Sequence, residues 1–166
     1  MTTGRRDIRG IIECGILAGA AGGLAEIIWV SIYSTASGGN PAGVARGVTT
    51  AAGLTALLPS APVELGIAIH MTLAVLLGLA LAYLWQAAAG RLSLRSRFAG
   101  VLVLLAAIWA VNFLVVLPAI SPDFVAMVPY AVSLTSKLLF GLAAAETLRS
   151  NAPAAEAFTM AARRSG

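Results

Sequence analysis

The chain has almost none of the residues on which redox and metal chemistry depend. Of its 166 residues, one is cysteine, Cys14, and one is histidine, His70. A single cysteine excludes a disulfide within the chain, a CxxC redox pair and a thiolate metal cluster. It therefore excludes the four-helix thiol oxidases linked to quinones, which need cysteine pairs. One histidine excludes a haem held by two histidines of one chain, although two symmetric copies would supply both.

Charged residues are also scarce. They make up 11% of the chain against 59% hydrophobic residues, and the mean hydropathy is +0.90. Soluble domains are roughly half apolar and a quarter charged, and cannot bury that much apolar surface. The composition predicts an integral membrane protein with one domain, residues 1–150. The net charge of +4 comes from arginines beside apolar segments, so we expect no nucleic-acid partner.

Motifs for catalysis or cofactor binding are missing as well. The sequence contains no nucleophile motif, P-loop, dinucleotide fingerprint or metalloprotease signature. His70 and Glu26 are acceptable metal ligands, but no dense spacing such as HxxxH or ExxH occurs. Ser133 lies four residues before Lys137, yet hydroxyls in lipid normally bond to the preceding turn. We therefore expect a non-enzymatic protein with no metal and no cofactor.

Four apolar stretches are long enough to form transmembrane helices, which need about 20 mostly apolar residues. They cover about residues 10–33, 63–85, 98–117 and 129–148. The sequence therefore predicts an all-α fold, an integral membrane four-helix transmembrane bundle. The apolar run Val48–Leu58 is too short to span, so we expect a short extra helix in the outer loop.

The arginines predict the orientation, because short cytoplasmic loops are enriched in Lys and Arg. They precede the first helix, separate the second from the third and follow the fourth: Arg5, Arg6, Arg9, Arg91, Arg95, Arg97, Arg149, Arg163 and Arg164. The opposite side has only Arg46. This pattern predicts a multi-pass protein of the bacterial cytoplasmic (inner) membrane with both termini cytoplasmic. Residues 151–166 are a short cytoplasmic tail, either a weak amphipathic helix or disordered.

Each predicted helix carries one strongly polar residue: Glu26, His70, Asn112 and Lys137. At about 1.5 Å per residue, all four lie about 8 to 12 Å below the same outer face, because the helices alternate in direction. They are predicted to form one inward-facing layer. An unpaired charge in the bilayer costs at least about 2.5 kcal/mol, so Glu26 and Lys137 should be in direct contact.

Other residues are predicted to support this layer. Tyr130 and Ser133 precede Lys137 at helical spacings, and Trp29 and Trp109 lie deeper than interfacial tryptophans. Such a layer can merely fix helix register. It can also act as a proton relay, an ion pathway or a polar ligand pocket. The sequence leaves these alternatives open.

Glycines on the first helix predict a close helix contact. Gly15, Gly19 and Gly23 are spaced by four residues, with Gly22 beside them. Small residues at this spacing let helix backbones approach closely in lipid. The partner helix lies either in this chain or in another one.

Four stretches of sequence carry a family resemblance: AEIIW, GIAIHMTLAVLLGLALAYLW with His70, NFLVVLPAISP and SKLLFGLAAAETLR. In this order they resemble the small bacterial inner-membrane proteins of the YagU-like type, whose biochemical role is not established. The resemblance covers most of the chain and implies a small helical membrane protein. Where that family has a histidine in its last helix, this sequence has Lys137.

These features lead to two functional hypotheses. The first is a non-enzymatic accessory or assembly subunit of a larger membrane complex. Its partners are the lipid bilayer and other membrane helices, in a hetero-complex or a homo-oligomer. The alternative is a small proton-linked or ion-conducting transporter that uses Glu26, His70 and Lys137.

Overall fold

The protein is an all-helical bundle in the computed structural model, which describes the backbone of residues 3–164 and the side chains of residues 8–151. The described residues form no strand, and their helices are α1 (Thr3–Ala36), α2 (Pro41–Ala51), α3 (Pro62–Ala87), α4 (Leu94–Val111), a π-helix (Asn112–Val116), α5 (Leu117–Ile120), α6 (Pro122–Met127) and α7 (Tyr130–Arg164). Four segments are long and apolar enough to cross a membrane: Ile8–Ala36, Pro62–Ala87, Leu94–Ile120 and Tyr130–Asn151. The predicted all-α fold with four helices of membrane-spanning length is confirmed.

Helix α1 is the centre of the bundle. It packs along α3 on one side and along α7 on the other, and α4 packs along α7. Gly15 lies against Leu79, whereas Gly23 lies against Met71, so α1 and α3 are antiparallel. The order across the bundle is therefore α3, α1, α7, α4.

The two ends of the bundle differ in charge. One end, here called the arginine end, carries the side chains of Arg9, Arg91, Arg95, Arg97 and Arg149. Arg9 pairs with Glu13 at 2.8 Å, and the guanidinium of Arg97 lies 5.0 Å from the centroid of the Trp85 ring. The opposite end, with Arg46 and α2, is called the cleft end. Four further side chains lie outside the described residues: Arg5, Arg6, Arg163 and Arg164.

Apolar side chains fill the half of the bundle towards the arginine end. Leu105, Phe140 and Ala144 have no exposed surface at all. They belong to a cluster drawn from all four long helices: Ala18, Ala74, Leu81, Ala82, Trp85, Val101, Leu105, Phe140, Ala144, Ala145 and Leu148. This cluster is the main core of the described part of the chain.

The glycine-rich face of α1 is packed within this chain. A methyl group on Gly78 of α3 would overlap the backbone of Gly15 and Gly19. A methyl group on Gly22 would lie 2.7 Å from the Phe140 ring of α7. The close approach for which these glycines leave room is therefore made with α3 and α7.

The short helix at the cleft end forms earlier in the chain than predicted. The expected run was Val48–Leu58, whereas α2 begins at Pro41 and ends at Ala51. The side chain of Asn40 caps its start by accepting a hydrogen bond from the Ala42 N–H at 2.9 Å, and proline suits the first helical position. Local capping therefore outweighs the apolarity of the following residues.

The third spanning segment contains a wide turn. Pro118 has no N–H, and a proline ring clashes with the carbonyl four residues earlier. The chain accommodates it with the π-helix Asn112–Val116, in which the Leu117 N–H donates to the Asn112 carbonyl. The helical path continues to Ile120, beyond the predicted end near residue 117.

The last helix is also longer than its predicted span. Helix α7 continues to Arg164, through most of the segment expected to be a cytoplasmic tail. The side chains after Asn151 lie outside the described residues, and so does the predicted amphipathic surface of the tail.

Candidate functional site

Three of the four predicted polar residues meet around Glu26. Its Oε1 lies 2.7 Å from Lys137 Nζ, and its Oε2 lies 3.7 Å from His70 Nε2. The Glu26 side chain is only 6% exposed, against 19% for Lys137 and 28% for His70. The direct contact between Glu26 and Lys137 that the sequence predicts is present. These three residues are called the charge cluster.

Lys137 is held by an aromatic ring as well as by the carboxylate. Its ammonium lies 5.2 Å from the centroid of Phe140, within the range of a cation–π interaction. The same ring packs on Gly22, one turn before Glu26 on α1. Sequence reasoning missed Phe140, although its position three residues after Lys137 places both on one face of α7.

His70 lies between a carbonyl and the carboxylate. Its Nε2 is 3.4 Å from the Gly23 carbonyl oxygen and can donate to it when protonated. The 3.7 Å distance to Glu26 exceeds that of a hydrogen bond. A second proton on the imidazole would therefore place another cation beside Glu26, in competition with Lys137.

Asn112, the fourth predicted member, does not join the charge cluster. It is exposed, and no side-chain hydrogen bond to it occurs among the described residues. It lies seven residues after the fully buried Leu105, so the two share a helical face. Helix α4 packs along α7 rather than along α1 or α3, which leaves this part of the face uncovered.

Both deep tryptophans donate hydrogen bonds to α7. Trp29 Nε1 donates to the Val132 carbonyl at 3.0 Å, and Trp109 Nε1 donates to Ser133 Oγ at 3.0 Å. Ser133 in turn donates to the Tyr130 carbonyl at 3.1 Å. Helix packing thus accounts for these side chains, and the Ser133 hydroxyl bonds to the preceding turn of its own helix, as predicted.

Aromatic rings connect α4, α6 and α7 at the cleft end. Trp109 stacks on Phe113 at 6.1 Å and meets Tyr130 edge-on at 6.4 Å between ring centroids. Phe113 reaches Phe124 at 6.5 Å. Phe124 in turn lies on Gly47 of α2, so these contacts fix α6 against the short helix.

A cleft of about 250 Å³ opens between α1, α2 and the end of α6. It is lined by ten uncharged residues: Val30, Tyr33, Ser34, Ser37, Gly39, Asn40, Gly43, Val44, Met127 and Val128. No sequence motif marks this cleft. A signal was nevertheless available, because Val30 and Ser37 continue the helical face of Glu26.

The described residues contain no group of three or more His, Cys, Asp or Glu side chains placed to hold a metal ion. The chemistry that this arrangement offers is the exchange of protons among a carboxylate, an ammonium and an imidazole. Lys137 would also oppose a bound cation while it is charged.

The fold and the site together define a class: a small bundle with membrane-length helices and a buried cluster of ionisable side chains. No protein-family model matches the chain, and no curated protein or solved structure matches it.

Proposed function

We propose that the protein spans the bacterial cytoplasmic membrane four times, with the arginine end and both termini in the cytoplasm. The four apolar segments supply the length, and the arginines lie on the side that the positive-inside rule assigns to the cytoplasm. The resemblance to YagU-like proteins supports the same choice of membrane.

Within that membrane, we propose a small proton-linked or ion-conducting transporter whose site is the charge cluster. The observation that carries the proposal is the contact of Glu26 with Lys137 at 2.7 Å, with His70 at 3.7 Å. Ionisable residues inside a bilayer are costly and commonly mark ion pathways and proton relays. Glu26 and Lys137 lie about a third of the way along their spanning segments from the cleft end, far from the arginine end.

The cluster couples protonation to helix contacts. A proton on Glu26 removes the negative charge that holds Lys137, which leaves a cation without a counter-ion. Such a cation either releases its own proton or rotates away from α1. His70 is the neighbouring group that can accept a proton and is also the most exposed of the three. Each proton transfer thus changes the attraction between α1, α3 and α7.

The experiment is proton flux into proteoliposomes that contain a pH-sensitive dye. Glu26→Gln keeps the shape of the side chain and should abolish the flux. Glu13→Gln is the matched control, because Glu13 is an exposed partner of Arg9 at the arginine end. Unchanged flux in Glu26→Gln would remove Glu26 from the mechanism.

A second candidate function is the accessory or assembly subunit, supported by the exposed side of α4. Only 11% of the apolar window in Leu94–Ile120 is buried, against 44% in Tyr130–Asn151. The amide of Asn112 on this helix would gain a hydrogen-bond partner from another membrane helix. The glycine face of α1 no longer supports this candidate, because α3 and α7 already cover it.

The subunit hypothesis is tested by purification in mild detergent. A partner of different sequence should co-purify with the natural chain and be lost with Asn112→Leu. Recovery of a monomer or a homo-oligomer alone would argue against this candidate.

A further inference from the structure

The cleft and Glu26 lie on one continuous face of α1. Glu26, Val30, Tyr33 and Ser37 follow one another at steps of four, three and four residues, the spacing of a single helical face. The last three line the cleft. Val30 is the cleft residue closest to Glu26 along the chain, about 6 Å further along the helix axis at 1.5 Å per residue. One helical turn therefore separates the cleft from the carboxylate.

The cleft has polar side chains at its mouth, and its two buried lining residues are Ser34 and Val128. Its mouth has the exposed Ser37 and Asn40, which bond readily to water. Val128 is its most buried lining residue at 4% exposure, and Val30 is partly buried. An apolar constriction in a pathway closes it by excluding water and opens it when water enters.

The lining also restricts what can pass. None of the ten residues around the cleft is charged, and the valines have no oxygen in their side chains. A metal cation that gives up its water needs several oxygen ligands in exchange. A proton needs only a transient chain of water between the cleft and Glu26.

From these observations we propose that the cleft is the aqueous entrance to the charge cluster. Val30 and Val128 form an apolar constriction in front of Glu26, and the species exchanged is a proton. This inference rests on the proposed transport function and adds to it a route, a barrier and a substrate.

The route is tested by cysteine labelling. In a Cys14→Ala background, Ser37→Cys, Val30→Cys and Ile32→Cys are exposed to a charged, membrane-impermeant thiol reagent in proteoliposomes. Ile32 is the control, since it is 58% exposed on the opposite face of α1 and outside the cleft. We expect fast labelling of Ser37→Cys, labelling of Val30→Cys at least about tenfold slower, and none of Ile32→Cys. Val30→Cys labelled no faster than Ile32→Cys would overturn the route.

The barrier is tested by flux. Val30→Phe should lower proton flux at least about tenfold, Val30→Ala should raise it, and neither should admit Na⁺ or K⁺. Val30→Leu is the milder variant if Val30→Phe does not elute as a monodisperse protein. Proton flux equal to that of the natural chain in all three variants, or Na⁺ flux through Val30→Ala, would contradict this inference. Absence of any Glu26-dependent flux in the wild type, with the labelling pattern intact, would instead contradict the proposed function.

Discussion

The two halves of the bundle are held together by different contacts. Towards the arginine end, backbones approach each other at glycines, and apolar side chains such as Leu105 and Phe140 are fully buried. Towards the cleft end, α1 and α4 are joined to α7 by an ion pair, indole hydrogen bonds and aromatic contacts. Apolar packing without polar groups cannot respond to pH. The first half therefore supplies a fixed scaffold, and the second half supplies groups whose attraction depends on protonation.

The largest loss of folded protein is expected from a substitution at Gly78, in the glycine-packed half of the bundle. Gly78→Leu would force α1 and α3 apart, because even a methyl group there overlaps the backbone of Gly15 and Gly19. We expect loss of the folded bundle, measured as the monodisperse fraction in mild detergent. Gly100→Leu is the matched control, since nothing lies within 4 Å of a Cβ at Gly100. An equal monodisperse fraction for the two variants would contradict the close packing of α1 on α3.

Removing one charge from the cluster should have the next largest effect. Lys137→Met leaves Glu26 buried without its partner, which costs about 3 to 5 kcal/mol for a buried pair in proteins. The double variant Glu26→Gln with Lys137→Met should recover much of that loss. Thermal unfolding of both single variants and the double variant measures the coupling. Additive effects would show that the pair contributes nothing to stability.

A smaller effect is expected at the aromatic contacts. Trp109→Phe removes the hydrogen bond to Ser133 and part of the stacking on Phe113. A hydrogen bond of this kind contributes about 0.5 to 1.5 kcal/mol. Unfolding in detergent should show this loss, while Tyr83→Phe, at a side chain 66% exposed, should not. A larger loss in the control would mean that the cleft-end rings do not carry the effect.

The smallest effect is expected at the exposed pair of the arginine end. Arg149 pairs with Glu146 one turn away on α7, and both side chains are about half exposed. Exposed pairs of this kind contribute little to stability. Arg149→Gln should therefore leave the unfolding temperature unchanged at any salt concentration. A clear drop would show that the arginine end is stabilised by charge as well as by packing.

The features that the sequence predicts well are those set by composition and period. Apolar length defines the four long helices, and the cost of a buried charge predicts the contact between Glu26 and Lys137. Helical spacing also places His70 on the correct side of α3. Each of these follows from a property of one helix or of one pair of side chains.

The remaining features depend on how helices are placed beside one another. Asn112 shares the face of Leu105, but the neighbours that cover this face at Leu105 do not reach Asn112. The π-helix before Pro118 and the cap at Asn40 are local effects that hydropathy does not register. The cleft needs residues from three helices, so the face of α1 that continues from Glu26 could not by itself reveal the other walls.

Helix α2 is anchored to α3 rather than to α1. Thr49 Oγ1 donates to the Pro62 carbonyl at 2.6 Å, and Gly66 of α3 lies directly against the Ala45 carbonyl. One wall of the cleft therefore belongs to the α2–α3 unit, whereas the wall with Val30 belongs to α1. The width of the cleft therefore depends on how α3 is placed along α1. The glycine contacts that hold α1 closely against α3 therefore also set the distance between the two walls of the cleft.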